Sequence, residues 1–193
     1  GNYIGTDPSG TSCGGQNTGV YIASTADSIT VGSALSGAEN VISGNNLYGI
    51  WMLSSTGRNK IIGNIIGPPK SGNVIISGSV QGSGIYISGS PNNTIGGSAS
   101  GERNIVSANI GSATSYGVQI TGAASTGNRI KGNYIGIAAD GSTNIPMSQQ
   151  DFGVYLGSAA ASNTIGGTAA GEGNVISANV STGLFLASGP NTV

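Results

Sequence analysis

The sequence predicts an all-β fold, a right-handed parallel β-helix of about six coils in which residues 1–193 form a single segment. Three observations predict it: Ile and Val together number 34 against 6 Leu, a repeat of about 33 residues runs along the chain, and aliphatic residues recur at three positions in each repeat. β-Branched residues favour strands over helices. A repeat of this length is typical of a solenoid.

The repeat is carried by short motifs. Asn-Tyr-Ile-Gly occupies 2–5 and 133–136, Asn-Thr-Ile-Gly-Gly occupies 93–97 and 163–167, and Gly-x-x-Asn-[Val/Ile]-[Ile/Val]-Ser-x-Asn occupies 37–45, 101–109 and 171–179. A further element, Gly-[Val/Ile/Leu]-x-[Ile/Leu/Met], occurs six times from Gly19 to Gly183, with a mean spacing of 32.8 residues. Each interval is therefore one coil.

Each coil carries three short strands, and each strand contributes one row of inward aliphatic residues. The first strand has a second inward position two residues on: Ile22, Met52, Ile87, Ile120, Leu156 and Leu186. The first-strand row is Val20, Ile50, Ile85, Val118, Val154 and Leu184; the second is Val31, Ile61, Ile95, Ile130, Ile165 and Val193; the third is Ile4, Ile42, Ile66, Val106, Ile135 and Ile176. We expect each strand to pair with its counterpart one coil away, at ~4.8 Å. The crossover is expected to be right-handed, as in nearly all parallel connections.

The coils are predicted to be of two alternating types. The step from the second row to the third is 11, 5, 11, 5 and 11 residues in successive coils, so short and long corners alternate. A row of asparagines, Asn59, Asn93, Asn128, Asn163 and Asn191, lies two residues before the second-row aliphatics. We expect these asparagines to adopt left-handed backbone at a tight corner, and their side-chain amides to bond from coil to coil.

An aromatic row is predicted on the outer face of the first sheet, because side chains alternate across a strand. The row comprises Tyr21, Trp51, Tyr86, Gln119, Tyr155 and Phe185, and its five aromatic members are the candidate binding residues. One interpretation is a surface that stacks on sugar rings or on a partner protein. The other is an aromatic ladder that stabilises its own sheet.

The outward row of the third strand is wholly apolar and is a candidate lateral contact with another chain. It comprises Tyr3, Val41, Ile65, Ile105, Tyr134 and Val175. Native proteins usually cover such a stripe, and the cover could be the chain's own loops, another domain or a neighbouring chain. The outward row of the second strand, Thr30, Lys60, Thr94, Arg129, Thr164 and Thr192, is interpreted as a solvated face, with an anion-contacting row as the alternative.

Composition excludes several classes of function. Six Lys and Arg with a net charge of -1 leave no basic surface for nucleic acid, and zero His with one Cys exclude a zinc site and His-assisted nucleophilic catalysis. No apolar run is long enough to insert into a membrane. Asp7 and Asp140 are interpreted as turn residues and Glu102 and Glu172 as loop carboxylates, so the sequence predicts no catalytic residue, metal or cofactor. Cys13 cannot form an internal disulfide, and an interchain disulfide stays open.

The motifs at 1–7, 163–167 and 171–179 resemble the right-handed β-helix repeats of the pectate-lyase-like superfamily, of the type found in large secreted or cell-surface bacterial proteins. The resemblance implies an extracellular or cell-surface location and a carbohydrate partner. Neither end of the chain has the polar cap that solenoids need, so a longer parent protein or a stacked assembly is expected.

Two functions are therefore expected. The first is a non-catalytic structural or adhesive rod (a surface stalk, adhesin or filament segment) that presents the aromatic face to carbohydrate or to another protein chain, self-association included. The alternative is a polysaccharide-active lyase or glycoside hydrolase whose catalytic residues lie in the long loops or outside this segment.

Overall fold

The computed structural model describes residues 1–111, 113–145 and 150–193, which form a parallel β-solenoid with three strands per coil. The first sheet contains β2 (Thr18–Ala23), β5 (Tyr48–Leu53), β8 (Ser83–Ser88), β11 (Tyr116–Thr121), β14 (Phe152–Leu156) and β17 (Thr182–Leu186). The second contains β3 (Thr30–Gly32), β6 (Lys60–Ile62), β9 (Thr94–Gly96), β12 (Arg129–Lys131) and β15 (Thr164–Ile165). The third contains β1 (Tyr3–Ile4), β4 (Asn40–Ile42), β7 (Asn64–Ile66), β10 (Ile105–Val106), β13 (Tyr134–Ile135) and β16 (Val175–Ile176).

Every strand pairs in parallel with its counterpart in the next coil, which confirms the predicted all-β architecture. Within the second sheet Ile61 pairs with Ile95, Ile95 with Ile130, and Ile130 with Ile165. A single bridge between Thr164 and Thr192 continues this sheet beyond β15. The one helix among the described residues is a 3-10 turn at Ser100–Glu102. Each coil is thus built from short strands joined by corners and loops.

The core consists of the three predicted aliphatic rows and of the second inward position of the first strand, where Ile22, Met52, Ile87, Ile120 and Leu156 are buried and the last member, Leu186, is exposed. Their central members are fully buried, and each such side chain contributes roughly 1.5–3 kcal/mol to folding. The outermost members Ile4, Val20, Val31, Ile176 and Leu184 are only partly buried and pack against the same cluster. The last predicted member of the second row, Val193, is 73% exposed and is not part of the core cluster. The strands of the second and third sheets are only two or three residues long, so each forms few hydrogen bonds with its neighbours. Burial of the stacked aliphatic side chains therefore supplies stability that these short strands alone do not.

The corner between the second and third sheets alternates as predicted. Gly63 alone separates β6 from β7, whereas residues 97–104 separate β9 from β10. Gly63 has φ +59°, and a Cβ there would lie 2.0 Å from the carbonyl oxygen of Ser33. Gly132 makes the equivalent corner two coils later with φ +69°. The short corner therefore requires glycine both for its backbone and for the space beside the preceding coil.

The predicted asparagine ladder is confirmed at the corner between the first and second sheets. Asn59 Nδ2 donates to Asn93 Oδ1 (2.9 Å), Asn93 to Asn128 (2.9 Å), Asn128 to Asn163 (3.0 Å) and Asn163 to Asn191 (3.2 Å). The expectation that these asparagines are left-handed is wrong. The residue before four of the five ladder asparagines takes positive φ instead, namely Arg58, Asn92, Gly127 and Ser162, and Ser28 does the same before Ile29 at the equivalent position of the first coil. The backbone turns one residue early, which leaves each ladder N–H free to donate to the next Oδ1.

A second and a third amide ladder occupy the other two corners. Asn2, Asn40, Asn64, Asn104, Asn133 and Asn174 bond in series at 2.9–3.1 Å where the chain enters the third sheet. Asn45, Gln81, Asn109 and Gln150 bond in series at 2.8–3.0 Å where it leaves that sheet. Sequence analysis missed both ladders. The second was detectable, because an Asn stands two residues before every third-row aliphatic.

We expect Asn93→Ala to lower the free energy of unfolding by about 2–4 kcal/mol, because it removes the buried acceptor of the Asn59 backbone N–H and Nδ2 groups and the Nδ2 donor to Asn128. Chemical denaturation measures the change. Asn73→Ala, at an exposed loop position, is the control and should change stability little. An equal effect of the two substitutions would contradict the role of the ladder.

We expect Gly84→Ala to destabilise the protein by roughly 1–3 kcal/mol through overpacking. A Cβ at Gly84 would lie 2.6 Å from Val106 Cγ1 and 2.8 Å from the carbonyl oxygen of Gly117. Gly173→Ala is the matched control, because no atom lies within 4 Å of the Cβ it would add. A thermal melt of the two variants compares them, and a Gly84→Ala protein as stable as the control would refute the packing argument.

Candidate functional site

Eight of the ten aromatic residues lie on the outer face of the first sheet. The predicted row Tyr21, Trp51, Tyr86, Tyr155 and Phe185 runs along it, in register across β2, β5, β8, β14 and β17 with Gln119 of β11 between. Sequence analysis missed the other three, Tyr48, Tyr116 and Phe152. They form part of a second register row, Thr18, Tyr48, Ser83, Tyr116, Phe152 and Thr182.

Glycine places this second row on the outer face. A Cβ at Gly49 would point inward, 2.8 Å from Ile66 Cγ2 and 2.6 Å from the carbonyl oxygen of Gly84. Gly49 and Ile50 therefore both face the interior, and simple alternation fails at this point. Tyr48 consequently faces outward, where its ring lies 5.2 Å from that of Trp51.

The rings form two clusters. Tyr21, Tyr48, Trp51 and Tyr86 make the Trp51 cluster, with neighbouring ring centroids 4.8–6.4 Å apart. Tyr116, Phe152, Tyr155 and Phe185 make the Tyr155 cluster, with centroids 5.1–5.6 Å apart. Each such ring pair contributes about 0.5–1.5 kcal/mol beyond its buried area. The rings therefore support their own sheet as well as forming a surface.

Stacking within the clusters uses ring faces. Tyr155 and Phe185 are parallel to within 7° at 5.1 Å, which is closer than two rings lying side by side can come. Tyr21 is 52% exposed and Phe185 38% exposed, and the rings between them are half-buried. In the Tyr155–Phe185 pair, therefore, the facing ring surfaces are used within the cluster, whereas Phe152 meets Tyr155 and Phe185 edge to face.

A cleft of about 280 Å³ separates the two clusters. Four first-sheet residues line it, Tyr48, Ser83, Tyr116 and Gln119, and the rest of the described lining comes from the segments that precede these strands: Asn46, Leu47, Val80, Gly82, Gly111, Ala113 and Thr114. Tyr48 and Tyr116 lie two coils apart with Ser83 in the coil between, and Ser83 Oγ donates to Gln119 Oε1 at 3.2 Å. Burial raises the pKa of Tyr48 and of Tyr116 above the usual tyrosine value, so both hydroxyls are protonated at neutral pH. No charged side chain is among the described residues that line the cleft.

The apolar outer row of the third sheet is covered along its middle. Val41 is 2% exposed and Ile105 8%, and Ile65 and Tyr134 are half-buried, whereas Tyr3 and Val175 near the two ends are each 37% exposed. Cover comes from the chain itself: the Arg103 guanidinium lies 4.1 Å from the centroid of the Tyr134 ring. The accessible part of this candidate lateral contact is therefore at Tyr3 and Val175.

The outer face of the second sheet is polar, and the cationic side chains on it are exposed. Thr30, Lys60 and Arg129 are exposed, whereas Thr94 and Thr164 are half-buried. Lys131 Nζ pairs with Glu172 Oε1 at 2.7 Å, and this hydrogen bond lowers the pKa of the Glu172 carboxyl. The geometry matches a solvated face with local ion pairing.

The loop carboxylates bind their own backbone. Asp7 Oδ1 accepts from the N–H groups of Thr11 and Ser12 at 2.9 and 3.1 Å. Asp140 Oδ1 accepts from Ser142 and Thr143 at 2.8 and 2.7 Å, and hydrogen bonds from these two residues lower its pKa to about 2. The interpretation of both residues as turn residues is confirmed.

The remaining carboxylates have similar local partners. Glu102 and Glu172 each accept from a backbone N–H three residues earlier, at 3.2 Å. Asp151 Oδ2 accepts from the N–H and hydroxyl of Ser115 at 2.8 and 2.9 Å, and Asp27 pairs with Arg58. These contacts shape loops and corners.

Cys13 lies half-buried in the loop after β1, where its Sγ donates to the carbonyl oxygen of Ser77 at 3.4 Å. Burial raises the pKa of the thiol, so the unreactive protonated form prevails at neutral pH. The thiol therefore acts as a loop contact in this structure.

The described residues contain no group of three or more His, Cys, Asp or Glu side chains that could hold a metal ion. In the same part of the chain, no helix has the length and apolar character to cross a membrane. Comparison with models of known protein families, with curated proteins and with solved structures found no match.

Proposed function

We propose that the chain is a non-catalytic extracellular or cell-surface rod, a stalk, adhesin or filament segment, that presents the aromatic face of its first sheet to carbohydrate. The observation that carries the proposal is the gathering of eight of ten aromatic side chains on one face, around a cleft lined by hydroxyl and amide groups. Aromatic rings supply apolar contact for the C–H faces of sugars, and hydroxyl and amide groups supply the polar contacts that orient a ligand.

The state of the carboxylates favours a binding role over hydrolysis. Glycosidases need one carboxyl group held as an acid with a raised pKa and a second facing it across the bond to be cleaved. Here the pKa values of Asp7, Asp140 and Glu172 are lowered by hydrogen bonds within their own loops or to Lys131. Such groups are stabilised as carboxylates, which suits turn formation and opposes proton donation.

The proposed extracellular location rests on the resemblance of the repeat motifs to a known superfamily. The repeat motifs at 1–7, 163–167 and 171–179 resemble those of the pectate-lyase-like superfamily, whose fold-level partner is carbohydrate. Buried amide ladders join successive coils at all three corners of the solenoid, and such hydrogen-bond networks make a core rigid. Rigidity of this kind suits a stalk or filament outside the cell.

Binding of polysaccharides to the purified chain tests the proposal. We expect retention on at least one immobilised polysaccharide from a panel of neutral and acidic types, and we expect Trp51→Ala combined with Tyr86→Ala to weaken it about tenfold with the fold intact by circular dichroism. Lys60→Ala combined with Arg129→Ala, on the second sheet, is the control and should leave retention on neutral polysaccharides unchanged.

The same panel exposes the competing functions. Release of reducing ends or unsaturated products, with or without Ca²⁺, would identify a polysaccharide-active enzyme and refute the rod. Absence of retention on every polysaccharide, together with self-association in light scattering, would assign the surface to protein contact instead.

A further inference from the structure

We propose that the cleft between Tyr48 and Tyr116 is a subsite for one uncharged pyranose ring, inserted between the two tyrosine rings above Ser83 and Gln119. The inference rests on the proposed carbohydrate-binding function and names the place and the class of sugar. It differs from binding along the whole aromatic face, because it assigns the ligand to the place where Ser83 and Gln119 interrupt the two aromatic rows.

The backbones that carry the two walls have the right separation. Tyr48, Ser83 and Tyr116 are register partners in three successive strands, so the backbones of the two tyrosines lie two coils apart, about 9.6 Å by the spacing of paired strands. The Tyr48 ring leans toward the middle coil, where its centroid lies 5.2 Å from that of Tyr86. A sugar ring in contact with an aromatic carbon on each side needs about 7–8 Å plus its own pucker. Ser83 is 2% exposed and too short to occupy the gap above it.

The interruption also leaves an aromatic face free. Tyr116 stacks on Phe152 of the following coil, with an interplanar angle of 18° and a centroid separation of 5.4 Å. Its other face points along the rod toward the preceding coil, where the register partner is Ser83. Inside the clusters, by contrast, neighbouring coils occupy the faces, as for Tyr155 and Phe185. The cleft is thus where a ring face remains open to a ligand along the rod axis.

The polar lining selects a hydroxyl-bearing, uncharged ligand. The Ser83 hydroxyl donates a hydrogen bond to Gln119 Oε1, which orients the half-buried Gln119 side chain and leaves its amide N–H₂ group to donate to a ligand. A pyranose hydroxyl or ring oxygen can accept that bond, whereas an aromatic side chain would leave the amide donor without a partner. A uronate or sulfated sugar would lose hydration without gaining a cationic partner, since the described lining has no charge.

The test is isothermal titration of the whole chain with cellohexaose, mannohexaose and xylohexaose as uncharged probes and hexagalacturonate as the charged comparison. We expect at least one uncharged probe to bind more tightly than hexagalacturonate. Tyr116→Ala should weaken its binding about three- to tenfold, and Gln119→Leu by a similar factor. Ser83→Phe, which extends the aromatic row into the gap, should abolish binding while the thermal melting temperature is kept or raised.

Tyr3→Ala is the matched control, because it removes an exposed aromatic ring from the third sheet and should leave affinity unchanged. Nuclear Overhauser contacts between sugar ring protons and the Tyr116 ring give a direct readout that fold stability does not affect. Tighter binding of hexagalacturonate, or failure of all three uncharged probes, would overturn the assignment.

Failure of this inference can be told apart from failure of the proposed function. Binding that Trp51→Ala combined with Tyr86→Ala weakens, but that Ser83→Phe and Tyr116→Ala leave intact, would keep a carbohydrate-binding face and remove the cleft as its subsite. Absence of binding to any polysaccharide or probe would remove both.

Discussion

The structure depends on buried side-chain amides that hydrogen-bond from one coil to the next. Asn93, Asn104 and Asn109 are each fully buried, one at each corner of the same coil region, and each donates to the equivalent position one coil on. A buried amide is costly unless its donors and acceptor are paired. Only one alignment of successive coils pairs all three ladders at once, so the polar corners fix the register that the aliphatic rows alone, being interchangeable, would leave free to slip.

This register also determines which side chains lie next to one another on the outer face of the first sheet. Once Ile50, Ile85 and Val118 stack inside the first sheet, the residues following them must stack outside it, which brings Trp51 and Tyr86 together and sets Gln119 beside them. The sequence thus decides where the aromatic rows are interrupted, and the register fixed by the ladders decides which outward residues become neighbours there. Two small or polar residues in adjacent coils, Ser83 and Gln119, are enough to open a cleft between otherwise continuous ring stacks.

The coil, its three rows and the Asn59-to-Asn191 ladder could be predicted because they depend on periodicity, which a single sequence displays. Three features could not be predicted in the same way. The left-handed residue precedes the ladder asparagine, since the asparagine's own N–H is needed for the next coil. Tyr48 faces outward because Gly49 has no Cβ to exclude it from the interior. The burial of Val41 and Ile105 on the outer face, and the placement of Arg103 over the Tyr134 ring, depend on three-dimensional packing that no periodic pattern contains.

The third ladder explains how two coil types share one core. Where a short connection links the third sheet to the next strand of the first sheet, the ladder residue is Asn45 or Asn109, three residues after the inward aliphatic residue of the third strand. In the alternate coils it is Gln81 or Gln150, which stands four residues before the next first-row aliphatic, on the returning end of a long loop. The extra methylene of glutamine lets its amide reach the ladder from that side. Loops of different length can therefore leave the solenoid at alternate coils while the hydrogen-bond series continues, so the outer surface varies without a change of register in the core.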